Sequence, residues 1–523
     1  MPGGLLNIIS VGKANLILTG NPSKTFFKVT YSKYTNFGMQ KFRLDYDGLR
    51  ELRLTESSKF TFKMKRYADL LMDTYLVLNL PDIWSPIWEP GIQTNYRYSP
   101  YDFKWIENLG VQCIEEIEIF AGSQLLQKFS TDKKDLINAM TGNVPQLNDP
   151  ANDPARVFAP PYKPNAYPSA QYTSNASGAE PSIRGKTIYV PINAWFTLDS
   201  RCAFPLVALQ YQELTINVTI RPIQDLFQVR DVYNFADNFP YVKIRTGENQ
   251  FQMYRFLHTP PSSDLSSENY NNQTNNWNAD VHLLSTYCFL SEQEQAKFAA
   301  EDQVYLVKEI HEYDFLNVVG SNRVKLESTT GLVADWMWYF QRNDAFLRNE
   351  WSNYSNWPYK TIPSNIELDP NSNLYITGDY DGANNKPILE TFGILFGPDY
   401  REISMPRGVY DYVEKYTKTQ GFAGEGLFCY NFCLNTSPFE YQPSGAVNAG
   451  RFKTIELEFT TYLPPVSVDG STTSIECTDG TPVNISSKPA WALYVYNYNL
   501  HVFEERYNII SFVAGNCGLV YAR

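Results

Sequence analysis

Apolar residues recur at every second position in many short stretches of this chain. Phe60, Phe62 and Met64 alternate with Thr61 and Lys63; Ile216, Val218 and Ile220 with Asn217 and Thr219; Ile455, Leu457 and Phe459 with Glu456 and Glu458. Successive side chains of a strand point to opposite faces, so this period predicts strands with one wet and one buried face. Apolar-rich runs such as Leu76–Leu80 and Ile394–Phe396 predict strands covered on both faces. In the first part of the chain, strand-like runs fall near 26–34, 40–46, 58–64, 73–80, 114–129, 186–196, 206–220 and 281–290, with a further one near 241–257. In the second they fall near 304–310, 322–327, 332–342, 389–396, 427–434, 453–460, 491–504 and 508–513. The clearest helix is SEQEQAKFAAE, residues 291–301, where Ser291 as N-cap and Glu294 three residues on predict a capping box. It separates the two sets of strands and marks the boundary between two halves.

Each half holds about eight strands, the number of a jelly roll built from two antiparallel sheets. Between them, residues 84–105, 143–185, 258–280, 360–387 and 462–489 are rich in Asn, Pro, Ser and Gly and read as long loops. Composition agrees: 15% of the 523 residues are aromatic, which favours strands, while 32 Pro and 29 Gly favour turns. The expected fold is therefore all-β, two consecutive eight-stranded antiparallel jelly rolls with few short helices.

The net charge of −12 lacks the dense basic face that duplex binding needs, and no basic block exceeds Lys63–Arg66. Direct nucleic-acid binding is not expected. Seven scattered cysteines do not form a disulfide framework. The opening MPGGLLNIISVGKANLILTG lacks the basic leader and cleavage site of a secretory signal, and no run reaches the ~18 apolar residues of a membrane span. A reducing, intracellular site of synthesis is the expectation.

Motifs for chemistry are incomplete. Gly185-Lys186-Thr187 has the ending of a phosphate loop, but Glu180 stands where its first glycine belongs and a strand follows. Gly421, Gly424 and Gly426 lack a surrounding βαβ unit. Cys429 and Cys433 would share one strand face but have no second ligand pair for zinc. His258, His282, His311 and His501 are far apart in sequence, and Asp379, Asp381 and Gly382 do not keep calcium-loop spacing. Six N-glycosylation sequons, at Asn175, Asn217, Asn272, Asn353, Asn435 and Asn484, are expected to stay mostly unmodified. No catalytic, cofactor-binding or metal-binding residue is assigned, and a structural protein rather than an enzyme is expected.

Five stretches share a further property. LTGNPSKTFFK (18–28), PLVALQYQEL (205–214), YCFLSEQEQAKFA (287–299), QPSGAVNAGRF (442–452) and YNIISFVAGNCGLVYA (507–522) resemble, in order and from end to end, segments of the major capsid proteins of nucleocytoplasmic large DNA viruses. Ala446–Arg451 departs from the family's usual run after QPSG, and 227–280 is longer than its usual connection. The resemblance implies an amino-terminal arm over 1–24, a first jelly roll over 25–300 and a second over 301–523. It implies homotrimeric capsomers of pseudo-hexagonal outline that tile an icosahedral capsid over an internal membrane. It further implies minor capsid proteins as partners, a place in the virion capsid, and synthesis and assembly in host cytoplasm. The alternative is a carbohydrate-binding or carbohydrate-cleaving β-sandwich protein.

Overall fold

The computed structural model describes residues 3–48, 51–84, 103–130, 181, 183–230, 241–248, 251–259, 270–327, 330–357, 386–419, 423–437, 442–464 and 496–521. It describes 87–88, 99–100, 374–375, 473–478 and 481–487 as strand backbone alone.

Eight long strands build the first half: β1 (Phe37–Leu44), β2 (Ser58–Lys63), β3 (Leu70–Leu80), β4 (Ile114–Ala121), β5 (Gln124–Phe129), β6 (Lys186–Pro191), β7 (Leu214–Ile220) and β8 (His282–Leu290). One antiparallel sheet runs β1-β8-β3-β6 and the other β2-β7-β4-β5. The second half has β9 (Gln303–Val318), β10 (Ser321–Leu326), β11 (Leu332–Arg342), β12 (Leu389–Phe396), β13 (Asp399–Pro406), β14 (Leu427–Asn431), β15 (Ile455–Thr461) and β16 (Tyr498–Val513). Its sheets run β9-β16-β11-β14 and β10-β15-β12-β13. Adding eight to every strand number of the first half reproduces the second. Each half is a jelly roll, and the same one. A short β17 (Asn516–Leu519) folds back on the end of β16.

The alternating pattern sets the register. Leu214, Ile216, Val218 and Ile220 of β7 are buried, and Ile216 lies opposite Phe62 on β2 and Ile119 on β4. In the second half Trp338 of β11 stacks on Phe392 of β12 with ring centroids 4.2 Å apart, and Phe392 lies parallel to Phe459 of β15. Each such side chain removed from water stabilises the barrel by roughly 1.5–3 kcal/mol.

Several expectations need correction. Residues 26–34 form no strand; the first strand begins at Phe37. The run 206–220 is a strand only over Leu214–Ile220, after a 3-10 turn at Leu206–Ala208. The run 114–129 is a hairpin, β4 and β5, that turns at Gly122 with φ +59°. Near 241–257 there is a two-residue strand and one helical turn, Tyr254–Leu257. From Tyr498 on, the runs 491–504 and 508–513 form one strand, β16, because the charges that seemed to divide it are paired: Glu504 with Arg506 on the same strand and with Trp336 across the sheet, and Glu505 with Lys308 across the sheet. Strand β13 carries no alternation, being wet on both faces. Segments read as loops also carry strands, at Phe103–Trp105, Leu374–Tyr375, Thr473–Thr478 and Thr481–Ser487. The predicted helix spans Glu292–Ala300, but Ser291 makes no side-chain cap. Asp69 holds that corner instead, accepting from the Leu290 amide and the Gln295 side chain.

Candidate assembly surfaces

The four histidines stay separate. His282 Nδ1 lies 2.7 Å from the Asp280 carbonyl, His501 Nδ1 lies 2.5 Å from Asp314 Oδ1, His311 packs on Tyr313 and His258 is half-buried. Among the described residues no group of three His, Cys, Asp or Glu is placed to hold a metal. Cys429 and Cys433 are buried free thiols, and burial pushes them up to about 12 and about 11. A thiol so far from ionisation is a poor nucleophile at neutral pH. Gly185 precedes strand β6 and donates its amide to Asp82 Oδ1, so the phosphate-loop ending has no helix behind it. Asn353 is buried and Asn217 half-buried in β7, while Asn272 is exposed. Asn175, Asp379, Asp381, Gly382 and Gly421 lie outside the described residues.

The built features are the contacts between the two barrels, which sequence reading missed. The first uses residues 342–357. Asp344 accepts two bonds from Arg342, at 2.9 and 2.6 Å, and two from Arg348, at 3.1 and 2.9 Å, all buried. Burial opposes the Asp344 charge, but the Arg342 hydrogen bonds and both guanidinium charges outweigh it and hold the carboxyl at about 2. Arg342 also stacks on Tyr496, and Asn356 Oδ1 accepts from the hydroxyls of Tyr496 and Tyr498. The loop so fixed grips the first barrel. Asn349 Nδ2 donates to the Gln224 and Phe227 carbonyls, each at 2.8 Å, and Trp351 Nε1 to the Asp225 carbonyl at 3.0 Å. The Arg221 guanidinium covers the Trp351 ring.

The second contact is the β16–β17 hairpin. Phe512 meets Phe204 edge-on at 5.1 Å, and Tyr305 of β9 packs on Trp195. The amides of Gln210 and Tyr211 both donate to the Gly515 carbonyl, and the Cys517 amide donates to Gln212 Oε1 at 2.8 Å. Gly515 has φ +80°, and a Cβ there would lie 2.9 Å from the Tyr211 ring. The core of the first barrel thereby takes in Ile510, Phe512 and Cys517. Beside this seam a cleft of about 760 Å³ opens between the barrels, lined by Glu116, Lys128, His311, Arg506 and Tyr507 among others.

Among the described residues two apolar surfaces stand out as exposed. Residues 3–41 are all exposed, including the helices Gly3–Ile9 and Leu16–Thr19 and the side chains of Leu6, Ile17, Phe27 and Tyr31. On the second barrel, Tyr400 and Ile403 of β13 are exposed, as are Tyr412, Val413 and Tyr416 on the helical segment that follows. Uncovered apolar surface of this extent marks sites of association.

A family model described as "Major capsid protein N-terminus" matches residues 25–255. The major capsid protein of Paramecium bursaria Chlorella virus 1 aligns over 534 positions at 23% identity, covering all of both chains. This chain is similar to the major capsid proteins of large DNA viruses. The major capsid protein of Chrysochromulina ericina virus is 29% identical over 269 residues. That alignment covers 46% of this chain and 44% of the relative, so the chain matches less than half the length of such relatives. The fold matches a chain of the PBCV-1 virus capsid with TM-score 0.60 at 18% identity, over 95% of this chain and all of the other. It matches the Faustovirus major capsid protein with TM-score 0.56 at 10% identity, over 95% and 94%. These are double jelly rolls, as the strand orders here are.

Proposed function

We propose that this chain is a shell protein whose barrels, residues 25–300 and 301–523, stand side by side in a homotrimeric capsomer of pseudo-hexagonal outline. The observation that carries this reading is the duplicated strand order joined by a buried seam. Two like barrels held rigidly in one chain give a threefold assembly six similar lobes, which suits hexagonal packing. The role is structural, with other copies of the chain as the main partners, and neither a metal nor a cofactor takes part. Minor capsid proteins at an inner viral membrane and synthesis in host cytoplasm belong to the same reading, with residues 1–24 as an arm; direct nucleic-acid contact does not. Light scattering and electron microscopy of the purified protein test it: the expected species has three times the 60.0 kDa chain mass and a six-lobed outline. A population that stays at 60.0 kDa at micromolar concentration would refute it.

A further inference from the structure

Within the uncovered amino-terminal stretch, residues 26–34 differ from the rest. Phe27, Val29 and Tyr31 alternate with Lys28, Thr30 and Ser32, the pattern that β7 obeys. Yet residues 21–36 lie in no strand, and Phe27 and Tyr31 are 99% and 87% exposed. A strand sequence in water leaves one row of apolar side chains and a run of unpaired backbone groups, and a sheet edge answers both needs. We propose, on the self-assembly reading above, that residues 26–34 of one copy add as a strand to the open edge of β9 in a second copy.

The choice of partner rests on three observations. Among the described residues strand β9 ends its sheet, bonded to β16 on one side, and at its start Val304 and Leu306 alternate and are exposed. That start is acidic, with Glu301 and Asp302 just before it. The stretch ahead of β1 is the opposite: residues 1–36 contain Lys13, Lys24, Lys28 and Lys33 and no Asp or Glu, in a chain of net charge −12. The body that the arm would meet is therefore more acidic than the whole chain. An anionic lipid surface would also attract these lysines, but it offers no partners for strand amides and carbonyls.

Mixing two single-cysteine-addition proteins tests the pairing, since the six described native thiols are buried. One carries Tyr31→Cys and the other Val304→Cys or Leu306→Cys. Mild oxidation of the assembled mixture should give a disulfide that joins the two different chains, and mass spectrometry locates it. Hydrogen exchange at residues 26–34 should slow by about tenfold or more on assembly. Wild-type protein that never self-associates would overturn both this inference and the capsomer reading. Assembly with arm amides that exchange as fast as in the free chain would overturn the arm inference alone. Protection that arises only on anionic vesicles, or already in the monomer through a hairpin onto β1, would overturn it too.

Discussion

Asp344 stands between two guanidinium groups with almost no access to water. Asp344→Asn would leave Arg342 and Arg348 buried without a counter-charge, and removal of one member of a buried ionic group costs about 3–5 kcal/mol. Denaturant titration should show that loss as a lower midpoint. The same carboxyl gives a pH dependence. Its folded value, about 2, lies below the ordinary 3.8, so its stabilising effect is present above pH 3.8 and is lost as pH falls toward 2. The acid limb of the stability curve should therefore flatten in the Asn variant. Thiols make a second prediction at this scale. Cys113, Cys429 and Cys517 are buried and pushed up to about 12 by desolvation, so alkylation of native protein at neutral pH should be slow. All seven cysteines should label after denaturation without reductant, and a deficit of two would reveal a disulfide.

At the scale of elements, the β16–β17 turn is the sharpest case. Gly515→Ala forces a side chain into φ +80° and against Tyr211, a strain of about 1–3 kcal/mol. Calorimetry should show a lower Tm, and Tyr211→Ala in the same chain should recover part of it; equal losses with and without the Tyr211 ring would mean that the contact is unimportant. The sequence revealed β2, β7 and β15, where burial falls on one face and the alternation marks it, and β12, where an apolar run is covered on both faces. It hid β13, which is wet on both faces, and the middle of β16, whose Glu504, Glu505 and Arg506 are paired by residues distant in sequence. The seam was hidden for the same reason. Nothing in the local pattern of Asn349, Trp351 or Gly515 tells that each meets the other barrel. Residues 26–34 show the reverse failure, a strand pattern that joins no sheet among the described residues.

At the scale of the whole molecule, each barrel has its own aromatic core, yet the first core includes side chains of the second barrel. The two should unfold together. A chelator should leave that single transition in place, because a metal bound only to the folded state would have raised its temperature; a clear drop in Tm with chelator would point to a bound ion. Weakening the seam through Trp351→Ala should split the transition into two, as seen by calorimetry.

The seam also sets a timetable for the ribosome. Gln212 waits for the amide of Cys517, 305 residues later in the chain. At about 5–20 residues per second that interval is roughly 15–60 s. The last strand of the first barrel ends at Leu290, so for about 11–45 s of that interval the barrel is complete in its strands but lacks Phe512 against Phe204, and an apolar surface faces solvent. A nascent chain in that state is a natural client for a chaperone. Slow codons placed after residue 300 would lengthen its exposure and lower the yield of soluble protein.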